Sequence, residues 1–271
     1  MLKIALATIT ILLSVVTFIV TVQKNTSDES VSVGPLSVEF LKLPTLTFEN
    51  DPVPNFNQYK DVIQKKQAFF GYLLPEIKRQ NAIIIKEREA VFRLFTLYKE
   101  GEGFTSNQQT LFDFLLTKYT VEFDVLNEVV FKELLAKVDV IPEALVLVQA
   151  AIESGWGTSR FAIKGYNFFG LWCFKKDCGF VPRQRNDGAV HEVAKFKDLS
   201  HAVMTYMRNI NRLYAYEDLR AVRQSSFEQG NEASAELLAT GLISYSERGQ
   251  EYIDELLNML RVNKKYMGLE R

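Results

Sequence analysis

Two polar residues stand out against a run of apolar ones. From Ala144 to Ile152 nearly every side chain is apolar; Gln149 interrupts the run and Glu153 ends it. Four positions apart, the two lie one above the other on one face of a helix. Burial penalises the charged form of a carboxyl and raises its pKa. The C-terminal end of a helix pushes the same way, because a negative charge is poorly placed there. A carboxyl that keeps its proton near neutral pH can protonate a leaving group as a general acid. The competing reading of Glu153 is a surface glutamate that swings out to water at a helix end.

Such a residue needs elements that position it. Pro142 suits the first turn of a helix, and Gly155-Trp156-Gly157 suits its end. Upstream, an amphipathic pattern over 58–74 predicts a helix that Pro75 breaks or kinks, followed by a second helix to about Lys99. Ser106 is the expected cap of a third helix, and a fourth is expected over 125–138. From Ala162 to Phe196 glycines divide short runs rich in Phe, Trp and Val, and Asn186-Asp187-Gly188 reads as the turn of a hairpin. Helices follow from Asp198 and over 227–240, then a loop carrying Tyr245, then a last helix over 250–263. The fold class is mainly α, a helical domain with a small β-hairpin lobe (α+β) and added N-terminal helices. Its parts are a hydrophobic segment over 1–24, an extended tether over 25–57, a helical region over 58–124 and a domain over 125–271 with the lobe at about 170–196.

The chain has 271 residues, 47% of them hydrophobic and 24% charged, which is globular composition. A net charge of −1 gives no global field of the kind that marks a nucleic-acid binder. Ile4 to Val22 is an unbroken run of apolar residues, Thr and Ser, close to the length that spans a bilayer core. It reads as a signal anchor or a cleaved signal peptide, with the anchor favoured because no small-x-small site follows it. Either way the bulk of the chain is exported. In that setting Cys173 and Cys178, the two cysteines, suggest a disulfide; a metal pair would need further ligands.

Gln149-Ala-Ala-Ile-Glu-Ser-Gly-Trp-Gly157, followed by Tyr166-Asn-Phe-Phe-Gly170, resembles the signature of glycoside hydrolase family 73, the bacterial endo-β-N-acetylglucosaminidases that include FlgJ-like domains. The resemblance runs through Lys195-Phe196, Asn211 to Tyr214 and Gly241 to Tyr252, and so covers roughly residues 125–265. The stretch Lys65 to Pro75, with Cys173 and Cys178, is similar to the Bax-like branch. The resemblance implies a lysozyme-like α-domain, a peptidoglycan substrate and Glu153 as the catalytic acid. It places Tyr245 in the site, orienting an acetamido group or stacking on a sugar. Tyr166, Phe169 and Trp172 are candidates to line the groove, Gln149 to hydrogen-bond Glu153, Trp156 to wall it, Asn167 to hold the loop, and Tyr214 to be structural.

The family often has a second glutamate in the β-lobe. Here that position aligns best with Gln184, and the nearby substitutes are Asp177, Asp187 and Glu192. Asp187 also reads as a turn residue, and Glu192 as facing out of the hairpin. Without a clear second carboxylate, assistance from the substrate N-acetyl oxygen is favoured over a retaining carboxylate pair.

The expected activity is hydrolysis of β-1,4 bonds after N-acetylglucosamine in peptidoglycan glycan strands, with no cofactor, no metal and no nucleic acid. The protein is expected on the periplasmic face of the inner membrane, tethered through its N-terminal segment, or free in the periplasm. Basic residues outnumber acidic ones between Trp156 and Asp198, which suits an anionic polymer and equally a solvated loop face. Two rivals stay open. A lytic transglycosylase also uses one glutamate, but the Gly-Trp-Gly continuation argues against it. A catalytically inactive peptidoglycan-binding protein draws support from the absent lobe glutamate.

Overall fold

The computed structural model describes residues 52–182 and 191–269. Among them are nine α-helices and one three-stranded sheet. The helices are α1 (Val62–Lys99), α2 (Ser106–Tyr119), α3 (Glu128–Lys137), α4 (Glu143–Ser154), α5 (Arg160–Gly165), α6 (Leu199–Arg212), α7 (Glu217–Glu228), α8 (Ala235–Ala239) and α9 (Gln250–Asn263). The strands are β1 (Trp172–Cys173), β2 (Gly179–Phe180) and β3 (Glu192–Ala194). This is a mainly α, lysozyme-like fold with a small β-lobe. The segment Ile4 to Val22, most of the tether, and the turn with Gln184 and Asp187 lie outside the described residues. Among the described residues, no helix is long and apolar enough to cross a membrane.

Local chemistry sets most helix starts. The Asp61 side chain accepts the Gln64 N–H, Asn127 accepts that of Val129, Asp198 that of His201 and Ser234 that of Leu237. At α2 the cap is Thr105, one residue before the expected Ser106, and it forms a reciprocal capping box with Gln108.

Helix α1 corrects the expected break at Pro75. It runs unbroken for 38 residues with Pro75 inside it. A proline there costs about 3 kcal/mol. Phe69, Phe70 and Leu73 before it and Ile77 after it are all fully buried, and each such side chain stabilises by about 1.5–3 kcal/mol. Burial on both sides of the proline therefore outweighs its cost. The helix expected over 227–240 is also corrected: α7 ends at Glu228, and Gly230 turns the chain with φ +75° before Ser234 caps the short α8.

One hydrophobic cluster runs from Phe56 to Met267 and draws on α1 and α2 as well as the later helices. Helix α4 lies at its centre, with Leu145 to Val148, Ala150 and Ala151 wholly buried and α1, α8 and α9 packed around it. The turn that launches α4 is fixed from two sides. Asn81 of α1 accepts from the Ile141 N–H and donates to the Ile141 carbonyl, and Arg223 of α7 donates to the carbonyls of Ala136, Asp139 and Val140.

In the β-lobe β2 and β3 pair antiparallel, as the hairpin pattern predicts, with Phe180 opposite Val193. β1 pairs on the other edge of β3, with Cys173 opposite Glu192, giving the order β1-β3-β2. Cys173 and Cys178 form the expected disulfide.

Candidate active site

Glu153 sits on the last turn of α4, partly buried. The next four residues, Ser154 to Gly157, end the helix and dock that end on α1. Gly155, Trp156 and Gly157 all adopt left-handed backbone, with φ of 57°, 59° and 73°. Ser154 ties the turn by donating its hydroxyl to the Ala150 carbonyl and accepting the Gly157 N–H at 2.8 Å. Gly157 has no alternative: a Cβ there would stand 2.5 Å from the Phe56 ring. The Trp156 ring packs edge-on against Phe69 and Phe70, with ring centroids 5.6 and 5.3 Å away. The Gly-Trp-Gly motif is thus an anchor for the turn that carries Glu153.

The carboxyl is gripped by tyrosines. The Tyr252 hydroxyl, from the first turn of α9, donates to Glu153 Oε1 at 3.0 Å. From the preceding loop the Tyr245 hydroxyl acts on the same carboxyl and favours its ionised form. Behind Tyr252, Gln149 donates through Nε2 to the Tyr252 oxygen at 3.1 Å, and Tyr206 of α6 donates to Gln149 Oε1. Three donors therefore point in sequence toward Glu153. The expected direct bond from Gln149 to Glu153 is replaced by this relay. Gln149 is wholly buried and does not reach a sugar.

The loop after α5 runs past the opposite carboxyl oxygen. A Cβ on Gly170, which has φ +64°, would lie 3.4 Å from Glu153 Oε2. Asn167 locks that loop: its Nδ2 donates to the carbonyls of Leu171 and Ala194, and its Oδ1 accepts the Leu171 N–H.

Burial raises the Glu153 pKa; the hydrogen bonds from Tyr252 and Tyr245 pull it back, Glu255 raises it and Arg248 lowers it. The balance lies above the ordinary carboxylate range. Burial likewise pushes up the hydroxyls of Tyr206, Tyr216, Tyr245 and Tyr252, so they stay protonated donors at neutral pH. This arrangement can hold a proton on a carboxyl and release it to an acceptor that enters beside it.

The other sequence candidates are scattered. Phe169 is 1% exposed and stacks on Tyr206 with ring centroids 3.9 Å apart, so it backs the relay and does not line a groove. Tyr166 ends α5 in left-handed conformation and packs partly into the core. Trp172 is half exposed, edge-on to His191 at 4.7 Å, and is free to meet a ligand. Tyr214, read as structural, is 86% exposed.

Among the substitutes for the second acid, Asp177 is exposed in a left-handed turn. Glu192, expected to face outward, is buried: its two oxygens accept the N–H groups of Asp177 and Gly179. Those bonds hold the disulfide loop, because an internal carboxylate finds its donors in the backbone it pairs with. Among the described residues, the carboxylate acting electrostatically on Glu153 is Glu255 of α9. Neither it nor the Tyr252 and Tyr206 contacts can be read from the sequence motifs. Tyr252 lies three residues before Glu255, a helical spacing that puts both on one face of α9.

A family model described as mannosyl-glycoprotein endo-beta-N-acetylglucosaminidase matches residues 129–265, a span that contains Glu153, Tyr245, Tyr252 and Glu255. "Protein bax" of Escherichia coli (strain K12) is 29% identical over 221 residues, which cover 81% of this chain and 77% of that protein. No solved structure matches the chain.

Proposed function

The chain belongs to the glucosaminidase family, glycoside hydrolase family 73, in its Bax-like branch, and from that premise we propose that it hydrolyses peptidoglycan glycan strands at the β-1,4 bond after N-acetylglucosamine, with Glu153 as general acid. The observation that carries this reading is the state of one carboxyl. Glu153 is held at the end of a buried helix by the Tyr252 hydroxyl, with Tyr245 acting on it from the loop and burial raising its pKa.

In this reading the Glu153 proton passes to the glycosidic oxygen as the bond from the anomeric carbon breaks. The acetamido oxygen of the same sugar closes on that carbon and carries the developing positive charge. Water then adds to the anomeric carbon, and its proton returns to the Glu153 carboxylate, so the cycle consumes one water. Tyr245 and Tyr252 keep the carboxylate oriented while it is charged. Trp172 offers an aromatic face to a neighbouring sugar. The hydrophobic segment over 4–22 supports a location at the periplasmic face of the inner membrane, a compartment that suits a disulfide.

The test uses purified sacculi digested with the protein, reduced with borohydride and separated by mass spectrometry. New reduced ends on N-acetylglucosamine are expected. Ends on 1,6-anhydromuramic acid would make the protein a lytic transglycosylase, and no new ends with retained binding would make it a binding protein.

A further inference from the structure

Tyr245 and Tyr252 reach Glu153 from different elements. Tyr252 is fixed by α9, whereas Tyr245 lies on the loop over 243–249, and a loop side chain is only as well placed as its anchors. One anchor is aromatic: the Tyr245 ring lies 5.2 Å from that of Tyr252 and 5.7 Å from that of Tyr216. The other is ionic. Arg248, near the end of the loop, donates through Nη1 to Glu255 Oε2 at 2.7 Å, and its Nε lies 3.8 Å from Glu251 Oε2. Glu255 is one turn beyond Tyr252 on the same face of α9. The ion pair therefore spans from the strand of chain that carries Tyr245 to the helix that carries Tyr252.

We propose that Arg248 and Glu255 are positioning residues of the active site: their ion pair fastens the Tyr245 loop to α9, so that both hydroxyls close on Glu153, and it sets the charge beside that carboxyl. The proposal rests on Glu153 being the acid. Among the described residues, the titratable and charged groups acting on Glu153 are Tyr252 and Glu255 from α9, Tyr245 and Arg248 from the loop, Tyr206 from α6 and Tyr216 from the turn before α7. Tyrosines are neutral near pH 7, so Arg248 and Glu255 are the members of this set that carry charge there. Their signs differ. Removing Glu255 withdraws a negative charge that disfavours ionised Glu153; removing Arg248 withdraws a positive charge that favours it.

The experiment is a carbon-13 NMR titration of the Glu153 carboxyl in the whole protein at low salt, where an exposed pair is least screened. The signal is assigned by its loss in Glu153→Gln. The midpoint is expected to rise in Arg248→Gln, where the lost positive charge and the released Tyr245 hydroxyl act the same way, to move less in Glu255→Gln, where they oppose, and to stay above the parent in the double variant, where only the lost fastening is left. Arg248→Lys, which keeps the charge, is expected to stay near the parent. Turnover on sacculi should drop by about two- to fivefold in each single variant, in keeping with a solvent-exposed pair. A double variant that returns to the parent midpoint would reduce the pair to its charge, and a pair remote from the acid would move no midpoint; either result overturns the proposal. A raised midpoint in the double variant of a protein that releases no glycan would uphold the positioning and reject the proposed activity. Unmoved midpoints in a protein inactivated by Glu153→Gln would do the reverse.

Discussion

The Tyr252 hydroxyl donates to Oε1 of Glu153 across 3.0 Å, joining side chains 99 positions apart. The same tyrosine oxygen accepts from Gln149, one turn below Glu153 on α4. A single residue of α9 thus bridges the two polar positions of an otherwise apolar helix. The acid strength of Glu153 is consequently a contest between burial, which retains the proton, and hydroxyl donors that favour its release.

Glu153→Gln keeps the shape and removes the proton. Cleavage of sacculi is expected to fall by about 10²–10⁴-fold, the usual contribution of a positioned general acid. Stability should move the other way. The folded-state pKa of Glu153 is raised, so the native protein keeps a proton that the unfolded chain releases. Stability therefore falls as pH rises from the ordinary carboxylate range through the raised value. The variant has no such fall. Urea unfolding at pH 4 and pH 8 should show it gaining on the parent at the higher pH.

Tyr252→Phe removes one donor to Glu153 and the acceptor for Gln149 Nε2. Losing a hydrogen bond that favours the ionised form raises the Glu153 pKa further, so the alkaline limb of the rate–pH profile should move to higher pH. Gln149 is fully buried, and leaving its amide without an acceptor costs about 1–3 kcal/mol. Denaturant melts should report that loss. An unmoved limb would mean that Tyr252 does not act on the acid.

The helix with Gln149 and Glu153 is legible in the sequence because its signal is local: an apolar run, a proline at its start and glycines at its end. The β-lobe and its disulfide are legible for the same reason. The features that escape depend on contacts between distant segments. Pro75 reads as a breaker until Phe69, Phe70 and Ile77 are seen buried on both sides of it. Phe169 and Trp172 look alike as groove aromatics, yet one is 1% exposed and the other 49%. Tyr252 and Glu255 offer a helical spacing and nothing more, since their meaning comes from Glu153 on another element. Glu192 reads wrongly as outward-facing because a short strand pattern does not say which face meets backbone donors.

The disulfide loop has two fastenings, the Cys173–Cys178 bond and the Glu192 carboxylate on the N–H groups of Asp177 and Gly179. Closing so short a loop stabilises by about 2 kcal/mol. Replacing both cysteines with serine is expected to raise hydrogen exchange of those two amides while leaving α4 protected. Adding Glu192→Gln should unfasten the lobe. Global unfolding from the cysteine change alone would show that the lobe is no separate unit of stability.

Gly170 separates space from strain at the acid. Its φ of +64° disfavours any side chain, and its Cβ position is 3.4 Å from Glu153 Oε2. Gly170→Ala should cost about 1–2 kcal/mol through the backbone. The methyl also covers the oxygen that Tyr252 leaves open, which displaces water from it and moves the alkaline limb upward. A sugar oxygen brought to that side would sit too far out, and a misplacement of this kind lowers turnover by about 10–100-fold. Gly170→Asn tests the two effects apart, because asparagine tolerates left-handed backbone better than alanine. Restored stability with turnover still low would assign the loss to crowding of Oε2. Turnover that recovers along with stability would assign it to the loop, and Oε2 would not be the oxygen that delivers the proton.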